Sequence, residues 1–142
     1  MRRTVAAAMA SLVVYCGGDW LWLGVAARDF YATRLGALLR PEPSWAPALL
    51  FYPLYVCGLL VFCVVPARAA GSWRKGLGMG ALFGLVAYAT YDLSNLATLQ
   101  GWPVAVTVAD IAWGVFISAM AALAGYAAAG TAARRVRPSR DR

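Results

Sequence analysis

Apolar residues in this chain are gathered into four long blocks, separated by shorter polar segments. The blocks cover residues 4–27, 46–67, 76–98 and 103–128. Each is close to the roughly 20 residues that an α-helix needs to cross a bilayer. The pattern predicts an all-α, integral-membrane four-helix bundle, with residues 1–130 as a single transmembrane domain and residues 131–142 as a basic cytoplasmic tail.

The longest connection, residues 28–45, separates the first two blocks. Asp29 is placed to cap a short helix, to which Phe30 and Leu35 contribute apolar side chains. We therefore predict a short interfacial helix between helices 1 and 2. The other two connections are tight turns, so helices 2, 3 and 4 should be antiparallel neighbours.

Composition and charge agree with a membrane location. Only 13% of the residues are charged, whereas soluble domains carry about 25%. With both termini inside, the loops place ten Lys and Arg residues on the cytoplasmic side and three outside, as the positive-inside rule requires. The net charge of +7 therefore indicates topology and contact with membrane lipids, and it does not indicate a nucleic-acid partner.

Small residues recur along one face of helix 3, at Gly76, Gly80 and Gly84. This four-residue spacing lets a second helix approach closely in lipid. Helix 4 offers a matching edge that includes Gly114. We predict that these two faces pack together.

Three aspartates lie inside the predicted helices. At about 1.5 Å per residue, Asp19, Asp92 and Asp110 lie about 12, 9 and 10 Å below the outer membrane boundary. Carboxyl groups are costly in hydrocarbon, so they should face the bundle interior or a cavity that opens outward. Polar and aromatic residues share their helix faces or depth, and these are further candidates for a site: Tyr15, Trp22, Tyr55, Tyr88, Tyr91, Asn95, Thr107 and Trp113. Trp20 is also deep enough to be considered.

Several arrangements could neutralise these acids. They could be protonated in part, or Arg28 and Arg34 could fold back over them. A hard metal cation could bind to their oxygens, and so could a cationic small molecule held by acids and aromatic faces. A structural network of interhelical hydrogen bonds would also explain them.

The residues that are missing narrow the possible chemistry. The chain has no histidine, so histidine-bound haem or metal and Ser-His or Cys-His nucleophile pairs are excluded. No nucleotide-binding motif is present. No metal site is certain, and the cofactor, if any, is unknown.

Five segments resemble a bacterial family of predicted membrane proteins, catalogued as domain of unknown function twenty-one seventy-seven. They are "DWLWLG" (19–24), "DFY" (29–31), "GSWR" (71–74), "ALFGLVAYATYDLSNLATLQGWP" (81–103) and "DIAWG" (110–114). The resemblance implies a multi-pass protein of the bacterial inner membrane, without an established activity.

Three hypotheses follow for the function. The first is a binding or transport protein, whose outward-facing acidic and aromatic cavity takes a cation, a proton or a small amphiphile. The second is a membrane enzyme or accessory factor in lipid modification, with Asp92 and Asp110 as an acid/base pair or as ligands of a divalent metal. The third is a structural or partner-binding subunit, and homo-oligomers are possible in each case. We favour the first.

Overall fold

The computed structural model describes residues 2–130, which are almost entirely helical, as the sequence predicts. Three helices are long and apolar enough to cross a membrane: Arg2–Ala26, Trp45–Ala69 and Val104–Ala129. A fourth long helix, Trp73–Thr98, has 26 residues but is less apolar, because it carries glycines, tyrosines and Asp92. The basic tail predicted at residues 131–142 lies outside the described residues.

The first long helix consists of α1 (Arg2–Leu21) and a π-helical turn (Trp22–Ala26). The short helix α2 (Arg28–Leu35) follows, and then a 3₁₀ turn (Gly36–Leu38). Asp29 does not cap α2, so that prediction is wrong. The helix begins at Arg28, two residues earlier than a cap at Asp29 would require, and it has no side-chain cap. Asp29 lies in its first turn, where a negative charge still suits the helix dipole.

The second long helix contains α3 (Trp45–Leu59), a π-helical turn (Leu60–Val64) and α4 (Val65–Ala69). The other two are α5 (Trp73–Thr98) and α6 (Val104–Ala129), neither of which is interrupted.

Helix α6 is the centre of the structure. It packs against α5 on one side and α1 on the other, and it contributes more buried residues than any other helix. The buried face of α1 is a stripe of residues four apart, Ala7, Ser11, Tyr15 and Asp19, as expected where successive turns of one helix face the same neighbour. Ser11 donates a hydrogen bond of 2.9 Å to the carbonyl of Ala121 in α6.

Glycines bring α5 and α6 into backbone contact. Gly76, Gly80 and Gly84 are all buried, and a Cβ atom at Gly84 would lie 2.1 Å from the carbonyl oxygen of Gly114. Gly114 in turn leaves room for the ring of Tyr88, which a Cβ atom there would meet at 2.2 Å. Small residues therefore fix the distance between the two helices, as is common in lipid.

We expect Gly84→Ala to destabilise the protein by about 1–3 kcal/mol, because the new methyl group pushes α5 away from α6. Gly78→Ala on the same helix is the matched control. A Cβ atom at Gly78 has open space around it, so this change should stabilise α5 by about 0.5–1 kcal/mol through helix propensity alone. Thermal unfolding of the two purified variants in detergent measures both effects. A shift of the same sign in both would contradict the close contact.

Candidate functional site

A cavity of about 470 Å³ lies between the long helices at the end where α2 packs. This volume is within the usual range of small-molecule sites. Each of the four long helices contributes to its wall, which consists of Asp19, Leu23, Phe51, Tyr52, Tyr55, Ala87, Tyr88, Tyr91, Asp110 and Trp113. Leu23, Phe51 and Tyr91 are the exposed members of this set, so they form the rim.

The two carboxyl groups of the cavity and most of its aromatic rings come from different helices. Asp19 and Asp110 belong to α1 and α6, which also contribute Leu23 and Trp113. The side chains from α3 and α5 are Phe51, Ala87 and four tyrosines, and Tyr52 lies close enough to Asp19 to hydrogen-bond to it. A ligand with a charged and an apolar end would therefore place its charged end towards α1 and α6.

Asp19 is held by an aromatic pair. Its carboxylate accepts a hydrogen bond of 2.9 Å from the indole nitrogen of Trp113. Trp113 stacks on Trp22, with ring centroids 4.7 Å apart and planes 5° from parallel. Because this stack fixes the indole, the carboxylate has a defined position at the cavity wall.

Asp110 is tied to α2 by Tyr31. The Tyr31 hydroxyl donates a hydrogen bond to Asp110 and accepts one of 3.0 Å from the indole nitrogen of Trp22. Burial raises the pKa of Tyr31 above its ordinary value, and the hydrogen bond to Asp110 raises this pKa further. The phenol therefore stays protonated and acts as a donor.

Asp92 lies behind Asp110 and does not line the cavity. It is completely buried, at 0% exposure, and apart from Asp110 its carboxyl oxygens have no hydrogen-bond partner within residues 2–130. Its carboxyl group lies beside that of Asp110. Two adjacent carboxyl groups away from water cannot both stay charged unless a cation compensates them, so the pair either shares a proton or faces a positive ligand.

A cluster of tyrosines, here called the tyrosine layer, closes the bottom of the cavity. The hydroxyls of Tyr15 and Tyr88 are 2.7 Å apart, and the ring of Tyr15 stacks on Tyr55 at 4.5 Å. The Tyr55 hydroxyl is 2.7 Å from that of Ser118. These contacts join α1, α3, α5 and α6, so the layer ties together all four long helices just below the acids.

No basic side chain is seen to neutralise the acids within the described part of the chain. Arg28 and Arg34 are both exposed, and the Arg34 guanidinium lies 4.8 Å from the centroid of Phe30. Residues 2–130 also contain no group of three His, Cys, Asp or Glu side chains that could hold a metal ion. The acidic side of the cavity is therefore uncompensated by the protein groups that the structure describes.

The structure brings nine of the residues singled out from the sequence to the cavity, some in its wall and some behind it. Six line the cavity: Asp19, Tyr55, Tyr88, Tyr91, Asp110 and Trp113. Three more stand directly behind this wall: Tyr15, Trp22 and Asp92.

Other predicted residues lie elsewhere. Thr107 accepts a hydrogen bond of 3.1 Å from Trp102, and Asn95 is half-buried but absent from the cavity wall. Trp20 is 71% exposed, so the idea that it belongs to a pocket is wrong. It stands one position from Asp19 on the helix, which turns its indole away from the buried stripe.

Sequence reasoning missed Tyr31 as a partner of Asp110. The available signal was the spacing of Ala27, Tyr31 and Leu35, which recur every four residues along the short helix. These three side chains pack with Val106 and Trp102 at the end of α6. Leu23, Phe51 and Ala87 were also left out of the predicted site, since apolar and aromatic wall residues have no pattern that distinguishes them from ordinary core.

Comparison with known proteins agrees with the resemblance seen in the sequence. Neither the curated proteins nor the solved structures give a match. A family described as predicted membrane protein (DUF2177) matches residues 4–127, which is most of the chain. Together with the long apolar helices, this match supports a membrane location and confirms the expected family. The chain belongs to the predicted membrane protein family DUF2177.

Proposed function

We propose that this protein binds a small organic cation in the cavity between its four long helices. The observation that supports the proposal is that the carboxyl groups of Asp19 and Asp110 share one cavity with six aromatic side chains. Carboxylates attract a positive charge, and aromatic faces attract it further when water is excluded. The apolar part of an organic cation would pack against the same rings.

Asp92 strengthens the case for a positive ligand. A buried carboxyl group whose oxygens are left unsatisfied costs about 1–3 kcal/mol or more, and within residues 2–130 Asp92 has no partner other than Asp110. A cation beside Asp110 would lower this cost by compensating the neighbouring charge. A hard metal ion needs several oxygen ligands, but within residues 2–130 no three His, Cys, Asp or Glu side chains come together to hold one, and most of the cavity wall is aromatic. An organic cation therefore suits the cavity better than a metal ion.

In the membrane, we propose that α5 is a fourth crossing and that both termini face the cytoplasm. The outward-facing residues Leu82, Leu85, Val86 and Leu93 are apolar and exposed, as a lipid-facing surface should be. The polar residue Asp92 is buried on the opposite side. This topology satisfies the positive-inside rule, and it places α2 and the cavity on the periplasmic side of a bacterial inner membrane.

A second candidate is a membrane enzyme, and the adjacent carboxyl groups of Asp92 and Asp110 favour it. Two neighbouring acids that share one proton can act as an acid/base pair. Asp110 would then face the substrate from the cavity wall, and Asp92 would exchange the proton from behind. A substrate turned over by the wild type and bound, but not converted, by Asp92→Asn would identify this activity.

We expect Asp19→Asn and Asp110→Asn each to weaken binding of the aromatic cation tetraphenylphosphonium at least tenfold, because each removes a desolvated charge partner. Isothermal titration of the purified protein in detergent measures the affinity. Asp29→Asn is the matched control, since it removes an exposed acid near the same end of the protein. This variant should bind within about twofold of the wild type.

The rival hypothesis of a purely structural network makes a different prediction. If both cavity variants fail to yield folded protein, the acids serve to hold the helices together. If all three variants fold and bind the cation equally, or if the wild type binds none, the cation proposal is wrong.

Asp92→Asn should behave differently from Asp110→Asn. The amide is the same size and stays neutral, and it can donate a hydrogen bond to Asp110. We expect equal or higher thermal stability and cation affinity within about threefold of the wild type, because an unpaired buried carboxyl group is removed. Parallel unfolding and titration experiments on the two variants measure the difference. A loss of affinity as large as that of Asp110→Asn would show that Asp92 itself holds the cation.

A further inference from the structure

A second, apolar groove lies beside the cavity, between the second long helix and α5. It has a volume of about 230 Å³ and is lined by Phe62, Cys63, Met79, Leu82, Phe83 and Val86. These side chains carry no charge and only the weakly polar thiol and thioether groups. Between Met79 and Val86 the groove follows about 10 Å of α5, so it is long and narrow.

The groove continues the cavity along the same seam. Phe83 lines the groove and packs against Tyr55 of the cavity wall, with ring centroids 5.2 Å apart. Phe83 of the groove and Ala87 of the cavity wall lie one turn apart on the same face of α5. Cavity and groove therefore meet at one turn of α5.

Aromatic side chains close this seam where the groove meets the cavity. Gly80 and Gly84 press α5 against α6, while α5 meets the second long helix mainly at the π-helical turn Leu60–Val64 and at α4. Above that contact, the Phe83 ring packs on Tyr55 and on Phe62 and lies against Gly58. Rings can change rotamer without moving a helix, so a chain can lie between them at a modest cost.

The position of the acids gives the orientation of a ligand. Asp19 and Asp110 are on α1 and α6, and the seam lies across the cavity, between α3 and α5. A cationic head at the acids would point its apolar part towards the seam. Met79 is a flexible side chain that adapts to irregular apolar shapes, which suits an alkyl chain in the groove.

We infer that the ligand is a cationic amphiphile, with its ammonium head in the cavity and a single alkyl chain in the groove. This inference rests on the proposed cation site and narrows the ligand to one chemical class. The carboxyl groups of the cavity favour a charged head, and the groove that continues the cavity favours a chain attached to that head. A lipid tail that lay in the groove without a cationic head would not use the carboxyl groups.

Photolabelling tests where the chain lies. The probe is an octyltrimethylammonium whose chain ends in a diazirine, and the reference probe has the same chain on an uncharged alcohol. Both are applied to the full-length protein in digitonin, a detergent without an alkyl chain. Mass spectrometry then identifies the labelled residues. We expect the cationic probe to label residues 79–86 or Phe62 at least fivefold more than the neutral probe, and excess tetraphenylphosphonium to remove this difference.

Two tryptophan variants supply the matched control. Val86→Trp fills the groove, whereas Leu85→Trp makes the same change one residue away, at a position that does not line it. Both side chains are exposed, so both variants should fold. Labelling of the groove should fall several-fold in Val86→Trp only, and binding of tetraphenylphosphonium should be unchanged in both.

The possible failures are distinguishable. Equal labelling by the two probes, or labelling spread over outward residues such as Leu49 and Val13, would overturn the chain site. If tetraphenylphosphonium still binds in that case, the cation site stands by itself. If no cation binds the wild-type protein, both proposals are wrong.

Discussion

The backbone contact between α5 and α6 is the constraint on which the rest of the structure depends. Gly84 and Gly114 allow a distance that any side chain would prevent. This contact brings Asp92 of α5 beside Asp110 of α6, and it makes room at Gly114 for the ring of Tyr88. Because α5 is held so closely to α6, it lies away from α3, and the space between them becomes the cavity and the seam below it.

The acids give this architecture its chemical character. In hydrocarbon, carboxyl groups need hydrogen bonds, a shared proton or a positive partner. Trp113 and Tyr31 provide hydrogen bonds to Asp19 and Asp110, but they are neutral donors and leave the charge uncompensated. Asp92 has no partner in the described chain other than the carboxyl group of Asp110, so the pair has to share a proton or meet a positive charge from outside the described residues.

Much of the fold could be predicted from the sequence, because in lipid the length of an apolar block determines the helix. The glycine spacing likewise identified the α5 face that packs against α6. The depth calculation grouped Asp19, Asp92 and Asp110, since helical rise converts sequence position directly into height. It could not tell that Asp92 stands behind the cavity wall, because height says nothing about the direction in which a side chain points.

The contribution of α2 was harder to predict for a different physical reason. Tyr31 reaches Asp110 over 79 positions of sequence. The spacing of Ala27, Tyr31 and Leu35 marks a packed face of the short helix, but it does not identify the distant group that this face meets. Asn95 and Thr107 were chosen for their polar groups, but half-burial at a helix end and a bond to Trp102 account for them. The groove could not be predicted from the sequence either, because Met79 and Leu82 are indistinguishable in sequence from any other lipid-facing residues.

The two π-helical turns have a consequence for the lining of both pockets. One ends the first long helix, at Trp22–Ala26, and the other interrupts the second, at Leu60–Val64. A π turn holds one residue more than an α turn and often marks a functional region. The first turn contributes Leu23 to the rim of the cavity and Trp22 to the stack on Trp113, and the second contributes Phe62 and Cys63 to the groove. The extra residue shifts these side chains out of the α-helical register, so each pocket owes part of its lining to an irregular turn.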